Sequence, residues 1–149
     1  MMRTIFQVCI VLLLLFGLAS CTQNGGNIGK RFGMWKVTEI FIDGSRDTDY
    51  DETMFWSFQS DIIDMTSSAG QSFGICKEEN GTLVLDYQHT DTAHPQPGSS
   101  LYSPLPQSKL PTNSVIVLEI LKLESHKMQL SYTSPDGDTT IIYNLKKWG

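Results

Sequence analysis

The sequence predicts an all-β domain, an antiparallel up-and-down meander of seven to eight strands, and three observations predict it. Apolar residues from Met34 onward recur with a period of two in short β-branched and aromatic runs. Those runs are separated by turn chemistry such as Asp43-Gly44, Asn80-Gly81 and Pro135-Asp136-Gly137. No stretch of that region sustains a helical stripe. A chain of 149 residues holds one such domain. A meander of this size closes into a barrel or, as the alternative, folds into a β-sandwich.

The first strand is expected from Trp35 to Ile42, ending at Asp43-Gly44. A second runs from about Thr53 to Met65, with Met54, Trp56, Phe58 and Ile62 on one face and Phe55, Ile63 and Met65 on the other; its length allows a bend or bulge. Ser72 to Lys77 and Thr82 to Gln88 flank Glu79-Asn80-Gly81, where Asn-Gly supplies the positive φ of a tight hairpin. Ser114 to Leu123 is apolar on both faces and turns at Glu124-Ser125-His126. Lys127 to Thr133 sets Met128, Leu130 and Tyr132 against Gln129, Ser131 and Thr133, as a half-buried strand does. After Pro135-Asp136-Gly137, Thr139 to Trp148 sets Ile141, Tyr143 and Leu145 against Ile142, Asn144, Lys146 and Trp148.

Residues 1–20 precede this body with Arg3, an apolar run from Ile10 to Phe16 and small residues before Cys21. That pattern reads as a secretory signal, and the run is short of the roughly 20 apolar residues of a membrane span. Leu18-Ala19-Ser20-Cys21 resembles the bacterial lipobox, which implies cleavage before Cys21 and its double acylation, the arrangement that stable anchoring requires. The expected partner of Cys21 is therefore the lipid bilayer. Residues 21–30, with Gly25, Gly26 and Gly29, read as the lipidated Cys and a flexible tether, and 31–149 as the barrel domain. Thr22 lacks the Asp that resembles an inner-membrane retention signal. The expected location is the cell envelope, at the outer membrane facing the periplasm, with the cell surface as the alternative.

Charge and cysteine content exclude several functions. The chain has 11 Lys+Arg against 16 Asp+Glu; loss of residues 1–20 removes only Arg3 among them, so no nucleic-acid partner is expected. Of 3 cysteines, Cys9 leaves with the signal and Cys21 is lipidated, so Cys76 has no disulfide partner. A CxxC pair or Cys-rich zinc site is excluded by the same count.

Gly33-Met34-Trp35, opening the first strand after Lys30-Arg31, resembles the Gly-x-Trp start of lipocalins. The hairpin meander and the closing strand ending Leu145-Lys146-Lys147-Trp148 extend the likeness over residues 30–149. The arrangement is similar to the compact lipocalin-like domains of small bacterial lipoproteins, notably those of Bacteroides-type bacteria. The resemblance implies a calycin-type barrel whose Trp35 plugs one end beneath a basic side chain from the last strand, here Lys146 or Lys147, where the family usually has Arg. It also implies a small apolar or amphipathic ligand held inside. With about 120 residues, the domain is shorter than standard lipocalins, so the interior is small or filled by side chains. Thr48-Asp49-Tyr50 matches a second lipocalin motif in letters, but it follows the first strand, and Ser45 to Glu52 reads as an acidic connection.

The expected interior set is Trp35, Val37, Glu39, Trp56, Phe58, Met128, Leu130, Tyr132, Ile141 and Tyr143. Glu39 is its one charged member: strict alternation from Trp35 through Val37 to Phe41 puts it inside, as a polar handle for a ligand, unless a bulge or the open mouth relieves it. His89 and His94 flank Asp91 without matching a metal motif, and no metal or other cofactor is expected. His126 reads as surface, Cys76 as a buried inert thiol, and Glu78, Glu79, Asp43, Asp61 and Asp64 as solvated strand ends. No phosphate loop or nucleophile elbow is present, and no enzyme is expected.

The segment 90–113 carries five of the 6 prolines together with Leu101, Tyr102, Leu105 and Leu110. Its length and apolar content suit a lid over the mouth, a patch for an envelope protein partner, or a passive cover of a sheet edge. The reading that follows is a non-catalytic, membrane-anchored barrel binding a small apolar or amphipathic ligand. Its alternative is a structural or protein-interaction module with a filled barrel.

Overall fold

The computed structural model describes residues 29–88, 102–112 and 114–149. Nine strands form one antiparallel sheet: β1 (Gly33–Ile42), β2 (Ser45–Arg46), β3 (Phe55–Gln59), β4 (Ile62–Ser67), β5 (Gly70–Glu79), β6 (Thr82–Asp86), β7 (Val115–Leu123), β8 (Lys127–Thr133) and β9 (Thr140–Lys147). Each long strand pairs with its neighbour in sequence, and β1 also pairs with β9, from Trp35 opposite Lys147 to Ile42 opposite Ile141. That last pairing closes eight strands into a barrel; β2 is a short flap on β1. Closure leaves only the two-residue β2 with an unpaired side and excludes the sandwich.

The eighth strand comes from the segment expected as one long strand. Gln59 pairs with Ile62 across a two-residue turn at Ser60-Asp61, with Ser60 at φ 52°. Paired residues share a face, so the turn resets the alternation: Ile63 and Met65 join Met54, Trp56 and Phe58 inside, while Phe55 and Ile62 are only partly buried on the outside. The expected faces of Ile62, Ile63 and Met65 are corrected accordingly. The turn carries neither Gly nor Pro, which is why the residue pattern did not mark it.

Asn80-Gly81 makes the β5–β6 turn with φ 48° and 78°, the two left-handed residues that a type I′ hairpin demands. Two bulges break other ladders. One lies on β1 between Val37 and Glu39, opposite Leu145 and Asn144; the other lies on β7 between Ile120 and Lys122, opposite Leu130 and Gln129. Val115, Val117 and Leu121 point outward and stay exposed, so β7, apolar on both sides, covers the core with only one.

The core is the barrel interior, a single cluster from Trp35 to Leu145. The N-terminal residues, the β3–β4, β5–β6 and β7–β8 turns and the end of β9 gather at one end. The loop 43–54 and the turns after β4 and β8 gather at the other, where residues 102–112 pack over the mouth.

Candidate functional site

The end of the barrel where β1 begins is sealed. Trp35 is fully buried; its indole N–H donates to the Arg31 carbonyl at 2.8 Å, and Lys147 Nζ stands 5.0 Å from its ring centre. Of the two lysines expected over this Trp, it is therefore Lys147 that stacks; Lys146 points outward. Arg31 supplies a second cation that the sequence reading passed over. Its guanidinium lies 5.4 Å from the Phe58 ring centre, pairs with Glu78 at 3.2 Å and reaches Cys76 Sγ at 3.8 Å. Arg31 favours the Cys76 thiolate, but burial outweighs it and pushes the thiol up to about 12. Cys76 is thus buried and protonated, as expected.

The other end carries a cover. A short 3-10 turn, Pro106–Ser108, follows Leu105, and both Leu105 and Leu110 are buried in the core cluster. Ser108 is fully buried, and its carbonyl accepts the hydroxyl of Tyr143 from strand β9. Gln107 is bound to Ser67 and reaches Asp51, and Lys109 lies 3.8 Å from the buried Asp47 carboxylate. The described part of segment 90–113 therefore packs over the mouth. Tyr50 braces the same rim: its hydroxyl donates to the Val37 carbonyl at 2.7 Å and accepts from Met54 N at 3.2 Å. Burial raises its phenol to about 12. The loop Ser45 to Glu52 is thus a fitted part of the mouth.

Between the two ends, Trp56, Met65 and Ser72 are cross-strand partners on β3, β4 and β5, and all three are fully buried. Trp56 lies 4.9 Å from Tyr143, ring centre to ring centre, across the interior. Its indole N–H has no hydrogen-bond partner among the described residues. Leaving such a donor unmade costs about 1–3 kcal/mol, and native interiors rarely do so without a reason. Ser72 Oγ is also unpartnered; it sits close enough to Tyr87 to favour the phenolate slightly, without forming a hydrogen bond of ordinary geometry. Tyr87 turns its hydroxyl to Met65 Sδ at 3.6 Å, and burial raises its pKa strongly. Its ring lies against Gly74, where a Cβ would stand 2.8 Å from the ring carbons.

Of the expected interior set, Trp35, Val37, Trp56, Phe58, Met128, Leu130, Tyr132, Ile141 and Tyr143 are all buried in this cluster. Glu39 is not among them. The bulge inserts Thr38, so Ile40 takes the inward position and Glu39 turns to the outer wall. There its carboxylate accepts from Asn144 Nδ2 at 2.9 Å and lies 3.8 Å from Arg46. Of the two expectations for Glu39, the polar handle inside is corrected and the bulge holds; the interior polar atoms without a partner among the described residues are instead Trp56 Nε1 and Ser72 Oγ. A Trp N–H looks apolar in a periodicity pattern, and Ser72 gives no signal of its own. Cys21, His89, His94 and residues 90–101 and 113 lie outside the described residues. Among those described, no group of three or more His, Cys, Asp or Glu side chains is arranged to hold a metal ion.

A family model described as a lipocalin-like domain matches residues 14–136. Among solved structures, a lipocalin-like protein from Bacteroides uniformis aligns with a TM-score of 0.57 at 14% identity, over 80% of this chain and 100% of that one. Bovine odorant binding protein, solved with its natural ligand, aligns with a TM-score of 0.40 at 13% identity, over 87% of this chain and 77% of that one. No curated protein matches the sequence.

Proposed function

The chain belongs to the lipocalin-like domain family, and on that premise we propose that it is a lipid-anchored, non-catalytic barrel that holds one small ligand inside. The ligand is mainly apolar and carries a hydrogen-bond-accepting group. The observation that carries this reading is the Trp56 N–H, fully buried in a mainly apolar interior and without a hydrogen-bond partner among the described residues. A ligand acceptor at Trp56 would recover the cost of that donor, with Ser72 Oγ as a neighbouring second contact. Trp35, Arg31 and Lys147 close the opposite end, so exchange runs through the covered mouth. Cys21 anchors the chain in the envelope, at the outer membrane facing the periplasm.

Native mass spectrometry of the protein purified from a bacterial envelope tests this, before and after exposure to a total lipid extract. The expected result is an added small-molecule mass that falls sharply in Trp56→Phe, which keeps the ring and removes the donor. A clean apo mass under both conditions would overturn the ligand reading. The intact mass separately reports acylation at Cys21.

A second reading, an envelope interaction module, is favoured by a different feature: Val115, Val117 and Leu121 are exposed on β7 directly after the proline-rich segment 90–113. Crosslinking from these positions in whole cells distinguishes the two, because a carrier needs no stable protein partner there.

A further inference from the structure

Charge is segregated along the barrel axis. The covered end is acidic, with Asp43, Asp49, Asp51, Glu52, Asp136 and Asp138 on its loops against only Arg46 and Lys109. The sealed end is where the lysines collect. Lys36, Lys146 and Lys127 stand directly opposite one another on β1, β9 and β8, all on the outer wall. Like charges in cross-strand register destabilise a sheet, so a chain with an excess of acidic residues has concentrated cations where they cost stability. Asp61 and Glu79 share this end but lie on the β3–β6 side, away from the row; Glu78 is paired with Arg31, and Glu124, on the β7–β8 turn, pairs with Lys122 at 3.3 Å and leaves Lys36, Lys127 and Lys146 as the row.

The row borders a groove of about 320 Å³ lined by Lys122, Lys127, Lys146, Gln129, Asn144 and Glu39, among others. Both bulges flank it, and bulges re-aim side chains: the β7 bulge brings Lys122 to the rim and the β1 bulge brings Glu39. Glu39 is held by Asn144, which Gln129 in turn holds at 2.8 Å, and it lies beside Arg46. Beside the row, Trp148 is 61% exposed and stacks edge-on against Phe55 at 5.3 Å; Met34 is 42% exposed. Trp beside lysines is the pairing found at the headgroup level of bilayers.

The chain leaves the barrel toward its N-terminus at this same end, at Gly29 and Lys30, and Lys147 Nζ binds the Lys30 carbonyl at 3.1 Å. Residues 22–29 can reach at most about 28 Å when extended, so an anchor at Cys21 keeps the lysine face close to the membrane.

We propose that the outer wall formed by Lys36, Lys127, Lys146 and Trp148 docks on an anionic phospholipid bilayer, with the groove taking a headgroup phosphate and the acidic mouth turned away from the membrane. This orientation rests on the anchored reading above. It leaves the covered end open to the aqueous compartment, where ligand enters.

The test uses the full chain as processed in a bacterial envelope, transferred to vesicles of phosphatidylglycerol and phosphatidylethanolamine or of phosphatidylcholine alone. Trp35 and Trp56 are fully buried, so quenching by brominated acyl chains reads Trp148. The expected result is quenching in the phosphatidylglycerol vesicles, loss of it in phosphatidylcholine, and loss at about 0.5 M salt, where screening is short-ranged. Lys36→Gln, Lys127→Gln and Lys146→Gln together should weaken it by at least about tenfold, given roughly fivefold per lysine. Lys77→Gln, on the opposite wall, should leave it unchanged. Equal quenching in both lipids, or none in a protein whose intact mass shows acylated Cys21, would overturn the docking. A protein without acyl groups that still requires phosphatidylglycerol for quenching would overturn the anchor and leave the docking standing.

Discussion

The Tyr143 hydroxyl donates to the main-chain carbonyl of Ser108, so strand β9 and the cover over the mouth share one buried hydrogen bond. Tyr143 also packs on Trp56, the residue with the orphaned donor. Cover, wall and interior polar group are therefore one chain of contacts.

Removing that hydroxyl should loosen the cover without unfolding the barrel. Tyr143→Phe leaves the buried Ser108 carbonyl unpaired, a cost of about 1–3 kcal/mol. Hydrogen exchange at the amides of Ser108 to Leu110 should rise by about tenfold or more. Exchange in β3 and β4 should change less. Uniform acceleration across all strands would show that the bond holds the whole barrel and not the cover.

The bulge on β1 predicts opposite outcomes at adjacent positions. Ile40→Ala empties a fully buried site and should lower stability by about 2–5 kcal/mol. Glu39→Ala removes a half-exposed ion pair with Arg46 and should cost less than about 1 kcal/mol. Urea midpoints for the two variants decide it. A larger loss at Glu39 would restore the unbroken alternation.

Gly74 is required by close approach, because a Cβ there meets the Tyr87 ring at 2.8 Å. Gly74→Ala should destabilise by about 1–3 kcal/mol. The loss should shrink in the Tyr87→Leu background, where the ring is gone. A double-mutant cycle measures the coupling, and strict additivity would place the cause in the backbone of β5.

Stability should fall in alkali, beginning with Cys76. Its thiol ionises near 9.0 when free but near 12 in the fold, because burial disfavours the thiolate. Tyr50 moves from 10.0 to about 12 for the same reason. Both groups keep their protons in the folded chain and lose them first in the unfolded one, so their contribution is complete below about pH 9 and is lost as pH rises toward 12. Urea midpoints should therefore drop between pH 9 and 11. In Cys76→Ala the decline should begin about one pH unit later; an unshifted onset would show that the thiol plays no part.

Much of the barrel was legible because its signals are local. Alternation in Met128 to Tyr132 and Ile141 to Leu145, and the turns at Asn80-Gly81 and Pro135-Asp136-Gly137, follow from backbone geometry that neighbouring residues alone specify. Two parts were not legible. The turn at Ser60-Asp61 has weak turn chemistry and sits inside an apolar run, so one expected strand proved to be two. The bulge at Thr38 had one local sign, a charged Glu39 at an inward position, but its place follows from matching β1 to β9, which are far apart in sequence. One inserted residue then turned Glu39 outward, and Trp56 and Ser72 are the interior groups without a hydrogen-bond partner among the described residues.

By itself the sequence determined the all-β meander, its period of two, and the buried identity of Trp35, Val37, Trp56, Phe58, Met128, Leu130, Tyr132, Ile141 and Tyr143. These depend on which residues are apolar and how they alternate along each strand. Only the tertiary structure decided that the sheet closes through β1 and β9, that Arg31 is buried beside Cys76, that segment 102–112 covers the mouth, and that the lysines form one row. Each of these is a register between distant strands or a contact between distant segments, set by how the whole interior packs and not by any run of neighbours.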